Sequence, residues 1–249
     1  MSTATKTAWK ARNGLLDTLS EAECERLRPD LQVVELPAGR VLYTAGAPQT
    51  AMYFPRSGVV SMTYTSENGD STEIAMIGHE GLVGTAVLMD ALSTPSSAVV
   101  QVAGEALVLR AEVADREFRR GGHFQFMAMR YVQVLLAQMA QTAVCNRHHS
   151  VERQLCRWLL LCHDRIGSDE LQITQEMIAT RLGVRREGVT EAAGRLQGYG
   201  YISYRRGHIT VLDRKGLEQG VCECYQVVKK EFARLLSDNR AGQKASRHV

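Results

Sequence analysis

Between Leu31 and Arg110 apolar and polar positions alternate in short bursts: VVELP, RVLYTAG, AMYFPRSGVVSMTYT, STEIAMIG, SSAVVQVAG and EALVLR. Turn signals separate them at Pro37-Ala38-Gly39, Ala45-Gly46-Ala47-Pro48 and Asn68-Gly69. Asn68-Gly69 between two such runs predicts a hairpin, because both residues tolerate the positive φ that tight hairpin turns require. Many short strands without intervening helical periods indicate an antiparallel sandwich or roll rather than a parallel sheet. Ahead of them, Gly14 to Leu27 reads as a helix with Leu15, Leu16, Leu19 and Leu27 apolar, and Ser20 with Glu23 forms a candidate capping box.

From Ala111 the period lengthens. A short polar helix runs through Arg119, and after Gly121-Gly122 a stretch without Gly or Pro continues to about Arg147. Ala128, Val132, Leu135, Met139 and Thr142 follow the 4-3 spacing of one seam, while Met127, Tyr131 and Val134 line an adjacent face. A helix apolar on two faces must be covered on two sides, so the seam is expected to pair with the same helix of a second subunit. Ser150 to Asp164 reads as another helix, and Ile166-Gly167-Ser168 ends it. Helix, turn, helix and hairpin follow, then one long helix from Arg214 to Leu236 with Leu217, Val221, Tyr225, Val228 and Phe232 as its stripe. The fold class expected is α+β. It comprises an antiparallel, cupin-like β-roll over 14–120, a dimerisation helix over 121–149, and a winged helix-turn-helix with an extra C-terminal helix over 150–237.

Charge sharpens this division. Residues 1–149 carry 13 basic and 15 acidic side chains, whereas residues 150–249 carry 17 basic and 12 acidic. The C-terminal portion therefore favours an anionic partner. No run reaches the roughly 18 apolar residues of a membrane span, and the opening MSTATKTAWKARNG has no apolar signal core, so a cytoplasmic protein without membrane contact is expected. Cys24, Cys145, Cys156, Cys162, Cys222 and Cys224 are scattered through helical sequence and read as reduced thiols.

The stretch Ile173 to Val189 places small and turn-forming residues where a helix-turn-helix is sterically strict. Ala179 is small where two helices cross, Gly183 follows four residues later where the turn needs positive φ, and Val189 plugs the angle from the second helix. Thr174 is placed to cap the first helix and hold a phosphate. The second helix presents Arg185, Arg186, Glu187, Thr190 and Glu191 at its N-terminal end, where a recognition helix meets base edges. Arginine bonds guanine bidentately and a carboxylate accepts from cytosine, which suits a G·C-containing step of double-stranded DNA. Beyond it, Arg205-Arg206-Gly207 forms the tip of a wing aimed at the sugar-phosphate backbone. Across residues 181–214 seven arginines face three acidic residues, so positive charge concentrates in this segment.

In this order of parts, and in Ile-Thr-Gln-Glu-x-Ile-Ala and Gly-Val-Arg-Arg-Glu-x-Val, residues 14–215 resemble the Crp/Fnr superfamily of bacterial transcription regulators. The resemblance implies that Arg186 and Glu187 read bases and that Thr174 touches phosphate. Glu191 stands where many members have a basic or small polar residue, which leaves the target sequence open. Cyclic-nucleotide members hold the phosphate with a Gly-Glu turn and a later arginine followed by Ser or Thr. Here Gly78, Glu80 and Gly81 lie in the turn region and Ser96 and Ser97 in the later one, with Ser96 where the arginine should be. These five are the candidate effector residues. Loss of the bidentate cation argues against cyclic AMP as a tight ligand. One N-terminal cysteine, Cys24, excludes the iron-sulfur cluster of other members, which needs about four thiolates. His79 alone gives little support to haem.

Cys222 and Cys224 fall on the last expected helix, where residues two apart point about 200° apart and cannot share a metal ion without unwinding. They read as packing or surface thiols, with redox sensing as the alternative, and no metal is expected. His148-His149 and Asn146-Arg147 mark the passage from the long helix into the C-terminal domain; they read as an ordinary solvated junction, with a pH- or metal-sensitive hinge as the alternative. No Ser-His-Asp, paired-carboxylate or phosphate-loop pattern supports catalysis. The expected function is that of a homodimeric regulator whose recognition helices lie about 34 Å apart on a pseudo-palindromic operator, contacting RNA polymerase if it activates. The rival reading is a small-ligand or cyclic-nucleotide sensing module whose winged helix contacts protein instead.

Overall fold

The computed structural model describes residues 10–236. The polar lead up to residue 9 and residue 237, the expected end of the C-terminal domain, lie outside the described residues. The first predicted helix is broken: a 3₁₀ turn covers Leu16–Thr18 and α1 spans Glu21–Leu27. Ser20 sits between them as N-cap, in a complete capping box with Glu23.

Seven strands follow: β1 (Gln32–Leu36), β2 (Val41–Tyr43), β3 (Ala51–Pro55), β4 (Val59–Thr65), β5 (Ser71–Ile77), β6 (Ser97–Val102) and β7 (Gly104–Arg110). Every pairing is antiparallel, in two sheets of order β1-β7-β3 and β2-β6-β4-β5. Asn68 and Gly69 do turn the chain between β4 and β5, within a loop whose ends are tied by Ser66 N–H to the Asp70 carbonyl at 2.8 Å. Phe54, Val60, Ile77, Leu82, Val100 and Leu109 fill the core between the sheets. In β4 the residues Val59 to Thr63 are buried without alternation. The reason is that the helix over Val151–Ile166 covers the outer face of the sheet. Val60 and Met62 point into the core between the sheets, while Val59 meets the second core and the Ser61 hydroxyl donates to Gln101 at 2.8 Å.

Helix α2 (Ala111–Arg120) leads through Gly121-Gly122 to α3 (His123–His148). The start of α3 is capped from a distance. The Glu23 carboxylate accepts from the amides of His123 at 2.7 Å and Phe124 at 3.0 Å, in addition to Ser20. Burial pushes this carboxyl upward, but the hydrogen bonds from Ser20, Phe124 and His123 outweigh it and hold it down at about 2.

The chain then bends at His149-Ser150, where Ser150 caps α4 (Val151–Ile166). Next come β8 (Glu170–Gln172), α5 (Gln175–Leu182), α6 (Arg186–Gly198), β9 (Ile202–Arg205) and β10 (His208–Val211). The order β8-β10-β9 makes a three-stranded sheet, of which β8 was too short to read from its pattern. Leu155, Leu159, Ile178, Val189, Leu196, Ile202, Ile209 and Tyr225 form the second core.

The expected single helix from Arg214 to Leu236 is two helices, α7 (Arg214–Gly220) and α8 (Cys224–Leu236). Gly220 is a weak helix former, and Val221 takes extended backbone at ψ 154°. The break lets Leu217 stay in the second core while α8 folds back along α3.

Candidate DNA-binding surface and sensor turn

The helix-turn-helix is assembled as its steric markers require. Ala179 and Val189 are buried, Gly183 has φ 65°, and Ile178 and Leu182 fill the space between α5 and α6. Thr174 caps α5, its hydroxyl accepting from the Met177 amide at 3.2 Å. Thr174, Arg185, Arg186, Glu187, Thr190, Glu191, Arg205 and Arg206 are all exposed. Thr190 is tied back to Gln175, its hydroxyl 2.8 Å from the Gln175 Oε1, which locks the two helices together beside the exposed tips. Glu191 pairs with Arg195 on the same helix, and Arg195 pairs with Glu152 of α4. Its departure from the common pattern therefore has a partner inside the protein.

The wing turn consists of Arg206 and Gly207, with φ of 48° and 83°, between paired His208 and Arg205. Two successive positive φ values give the tight turn that matches strand twist. The Ile173 amide donates to the Gly207 carbonyl at 2.8 Å, so the wing tip and the N-terminus of α5 are neighbours. The exposed Thr174 thus neighbours the wing tip with Arg205 and Arg206, so a hydroxyl and two guanidinium groups share one edge beside α6.

The five candidate effector residues form no comparable open surface. Glu80 meets Arg165 of α4, Oε1 to Nε, at 2.7 Å, and Arg165 is almost wholly buried. The Arg165 side chain also packs where a Cβ on Gly78 would stand, and the Tyr131 ring of α3 occupies that place at Gly81. Burial pushes the Tyr131 phenol well above its ordinary value, with Glu80 adding to the rise. Ser96 is buried, its hydroxyl 2.9 Å from Thr94 and 3.5 Å from the Tyr43 hydroxyl. The Ser97 hydroxyl accepts from the Ala45 amide at 3.0 Å. His79 is exposed, and its carbonyl accepts from the Gly14 amide at 2.7 Å.

Two regions of the chain match known families. Residues 33–120 match the cyclic nucleotide-binding domain and residues 153–219 the Crp-like helix-turn-helix domain, together more than half of the 249 residues. The chain belongs to the Crp/Fnr superfamily. This regulator is 25% identical over 221 residues to a CRP-like cAMP-activated global transcriptional regulator of Mycobacterium tuberculosis, a match covering 83% of this chain and 96% of that protein. Its fold is similar to that of a crp/fnr-family structure from Eubacterium rectale, with a TM-score of 0.68, 18% identity, and coverage of 87% of this chain and 100% of that one. FixK2 from Bradyrhizobium japonicum gives a TM-score of 0.66 at 13% identity, over 77% and 98% of the two chains. The regulator is therefore a DNA-binding transcription factor with a cyclic-nucleotide-binding type of β domain. Among the described residues no helix is long and apolar enough to cross a membrane.

Of the expected dimer seam, Ala128 and Leu135 are buried in the regulator's own β domain, and Met139 packs partly against it. Thr142 is engaged with Gln138 and with Arg157 of α4. The apolar positions of α3 that face water are instead Phe126, Met129, Leu136 and Val144, with Met129 60% and Leu136 55% exposed. The sequence showed two apolar faces but not which of them the β domain would take.

Sequence reasoning also missed a set of polar residues between the two cores. Glu73 of β5 is buried, facing Arg181 of α5 and Arg157 and Arg165 of α4. Burial raises its carboxyl to about 7, against the pull of these three arginines. Gln138 of α3 donates to the Met76 carbonyl and lies 3.4 Å from Arg165. These residues are far apart in sequence and carry no local pattern that would have paired them.

Proposed function

We propose that the chain acts as a homodimer on a pseudo-palindromic operator, with a sensor domain over 14–120, a dimerisation helix over 121–149 and a reading head over 150–237. The observation that carries this reading is the exposed cluster of Arg185, Arg186 and Glu187 at the start of α6, flanked by Thr174 and the Arg205-Arg206 wing tip. Arg186 and Glu187 read a G·C-containing step in the major groove, Thr190 and Glu191 border it, and Thr174, Arg205 and Arg206 hold phosphates. Two subunits meet through the water-facing strip of α3 that contains Met129 and Leu136, and Val132 stands at its edge. Contact with RNA polymerase accompanies activation.

The effector of the β domain is not cyclic AMP in this reading. Ser96 offers no cation to a cyclic phosphate, Tyr131 covers Gly81, and Glu80 already pairs with Arg165. Selection of bound duplexes from random DNA, at physiological salt and with sedimentation of the free protein, tests the proposal. A recurrent inverted repeat with half-sites about one helical turn apart supports it, and a monomer without sequence preference overturns it. Calorimetry with cyclic AMP tests the second part, where micromolar binding is the overturning result.

A further inference from the structure

Four metal-binding side chains converge where α3 ends and α8 begins. Cys145 and His149 come from the last turn and C-cap of α3, Cys222 from the break between α7 and α8, and Cys224 from the first position of α8. Their donor atoms all lie within 4.8 Å of one another. Cys145 and Cys222 sulfurs are 3.6 Å apart, and Cys224 Sγ is 3.4 Å from His149 Nδ1. All three cysteines are buried. The sequence-based objection, that residues two apart on a helix face opposite ways, does not apply. Cys222 lies in the non-helical break, so its side chain and that of Cys224 reach the same point.

We propose that Cys145, His149, Cys222 and Cys224 form a single-ion Cys3His site for zinc. A tetrahedral ion with Zn–S bonds of about 2.3 Å and a Zn–N bond of about 2.0 Å places its donors roughly 3.5–3.8 Å apart, close to the 3.6 Å between Cys145 and Cys222 and the 3.4 Å between Cys224 and His149. Thiolate and imidazole donors in a four-coordinate closed set suit a structural zinc ion. The crowding of all four donors around one point excludes a cubane of several irons, whose thiolates sit on different metal atoms.

The surroundings are those of a metal site rather than of four packed thiols and rings. His149 Nε2 lies 3.3 Å from the Glu223 carboxylate, which orients the ring and leaves Nδ1 to face the cysteines. Gln141 Nε2 donates to Cys224 Sγ at 3.0 Å, the hydrogen bond that a metal-bound thiolate accepts from its outer shell. Cysteines buried only as small apolar residues need neither partner. The ion fastens α8 to the last turn of α3 next to the His149-Ser150 bend, from which the reading head hangs. Zinc at this point sets the angle of the bend and closes the return path of the chain. The site stands on its own donors and does not depend on the DNA-reading assignment.

The full chain, purified under reducing conditions without added metal, is expected to carry about one zinc per chain by elemental mass spectrometry. Stripped with chelator and titrated with Co(II), it should show thiolate-to-cobalt charge transfer and the intense visible bands of tetrahedral cobalt. Cys222→Ser and His149→Asn should each lose zinc to a mild chelator at least tenfold faster, whereas Cys24→Ser should hold it like the parent. The cobalt spectrum of the parent needs no variant, so the test survives if a variant does not fold. Absence of zinc together with a weak octahedral cobalt spectrum overturns the proposal, as does undiminished zinc in both ligand variants. A Cys145–Cys222 disulfide in metal-free protein isolated without reductant, resistant to metal after reduction, also overturns it.

Discussion

On the reading head, Thr174, Arg185, Arg186, Arg205 and Arg206 stand in water, whereas at the sensor turn Glu80, Gly81 and Ser96 are closed over by the chain's own side chains. The two surfaces face opposite energetic problems. Exposed arginines of this kind, in the proposed DNA-binding role, would meet a phosphate or a base edge without first breaking an internal contact. A ligand at the sensor turn must displace Tyr131 or separate Glu80 from Arg165, and its apparent affinity falls by whatever that opening costs. The closed state is also not local to the β domain, because Arg165 belongs to α4 of the reading head. A ligand that separates Glu80 from Arg165 therefore acts on α4 directly.

The sharpest way to break this comparison is at the open surface. Arg186→Ala should remove specific operator binding while dimerisation persists. A bidentate arginine–guanine contact is worth about 1–3 kcal/mol, so two half-sites lose roughly 2–6 kcal/mol, or from about 30-fold to about 10⁴-fold in fluorescence anisotropy titrations. Unchanged operator affinity would show that this arginine does not read bases. At the closed surface, Arg165→Met leaves Glu80 without its cation. The loss should be about 3 kcal/mol in urea unfolding, at the low end for a buried pair because Glu80 keeps part of its side chain in water. The double variant with Glu80→Gln should recover part of it, and an additive loss would deny the coupling.

Two smaller effects sharpen the contrast. Arg205→Ala with Arg206→Ala should weaken binding to all sequences alike, by roughly tenfold, and make the salt dependence shallower by about two contacts per subunit. Sequence-selective loss would move the wing from phosphate to base contact. Glu73 gives the closed side its pH signature. Its folded value of about 7 lies above the ordinary 4.5, because burial disfavours the charged form. Between those values the unfolded chain releases the proton while the folded chain keeps it, so stability falls as pH rises from about 4.5 to about 7 and is level above. Glu73→Gln should flatten that difference when urea midpoints are compared across the window. A wild-type slope identical to the variant's would mean that Arg157, Arg165 and Arg181 hold Glu73 ionised.

The β strands, the Asn68-Gly69 turn, the Ser20–Glu23 box and the helix-turn-helix were legible in the sequence because each depends on neighbours within a few residues. Alternation marks a half-buried strand, and Gly183 marks a turn whose φ no bulky residue takes. The exposure of Arg185, Arg186, Glu187, Thr190 and Glu191 shares this property, since they sit at one end of a short helix whose phase turns them outward. The same locality misled where contacts were long-range. The stripe from Leu217 to Phe232 suggested one helix, since periodicity survives a short break that keeps both halves on the same core.

By itself, then, the order of residues determined the strand-rich half, the reading helix and its exposed charges, since backbone propensity and side-chain period act over a turn or two. Only the folded chain decided which face of α3 the β domain covers and that Glu23 caps that helix from 100 residues away. It alone decided that Arg165 closes the sensor turn and that Cys145 and His149 meet Cys222 and Cys224. Such pairings are chosen by the packing of whole elements against one another, and a packed core brings together residues whose spacing along the chain carries no trace of the meeting.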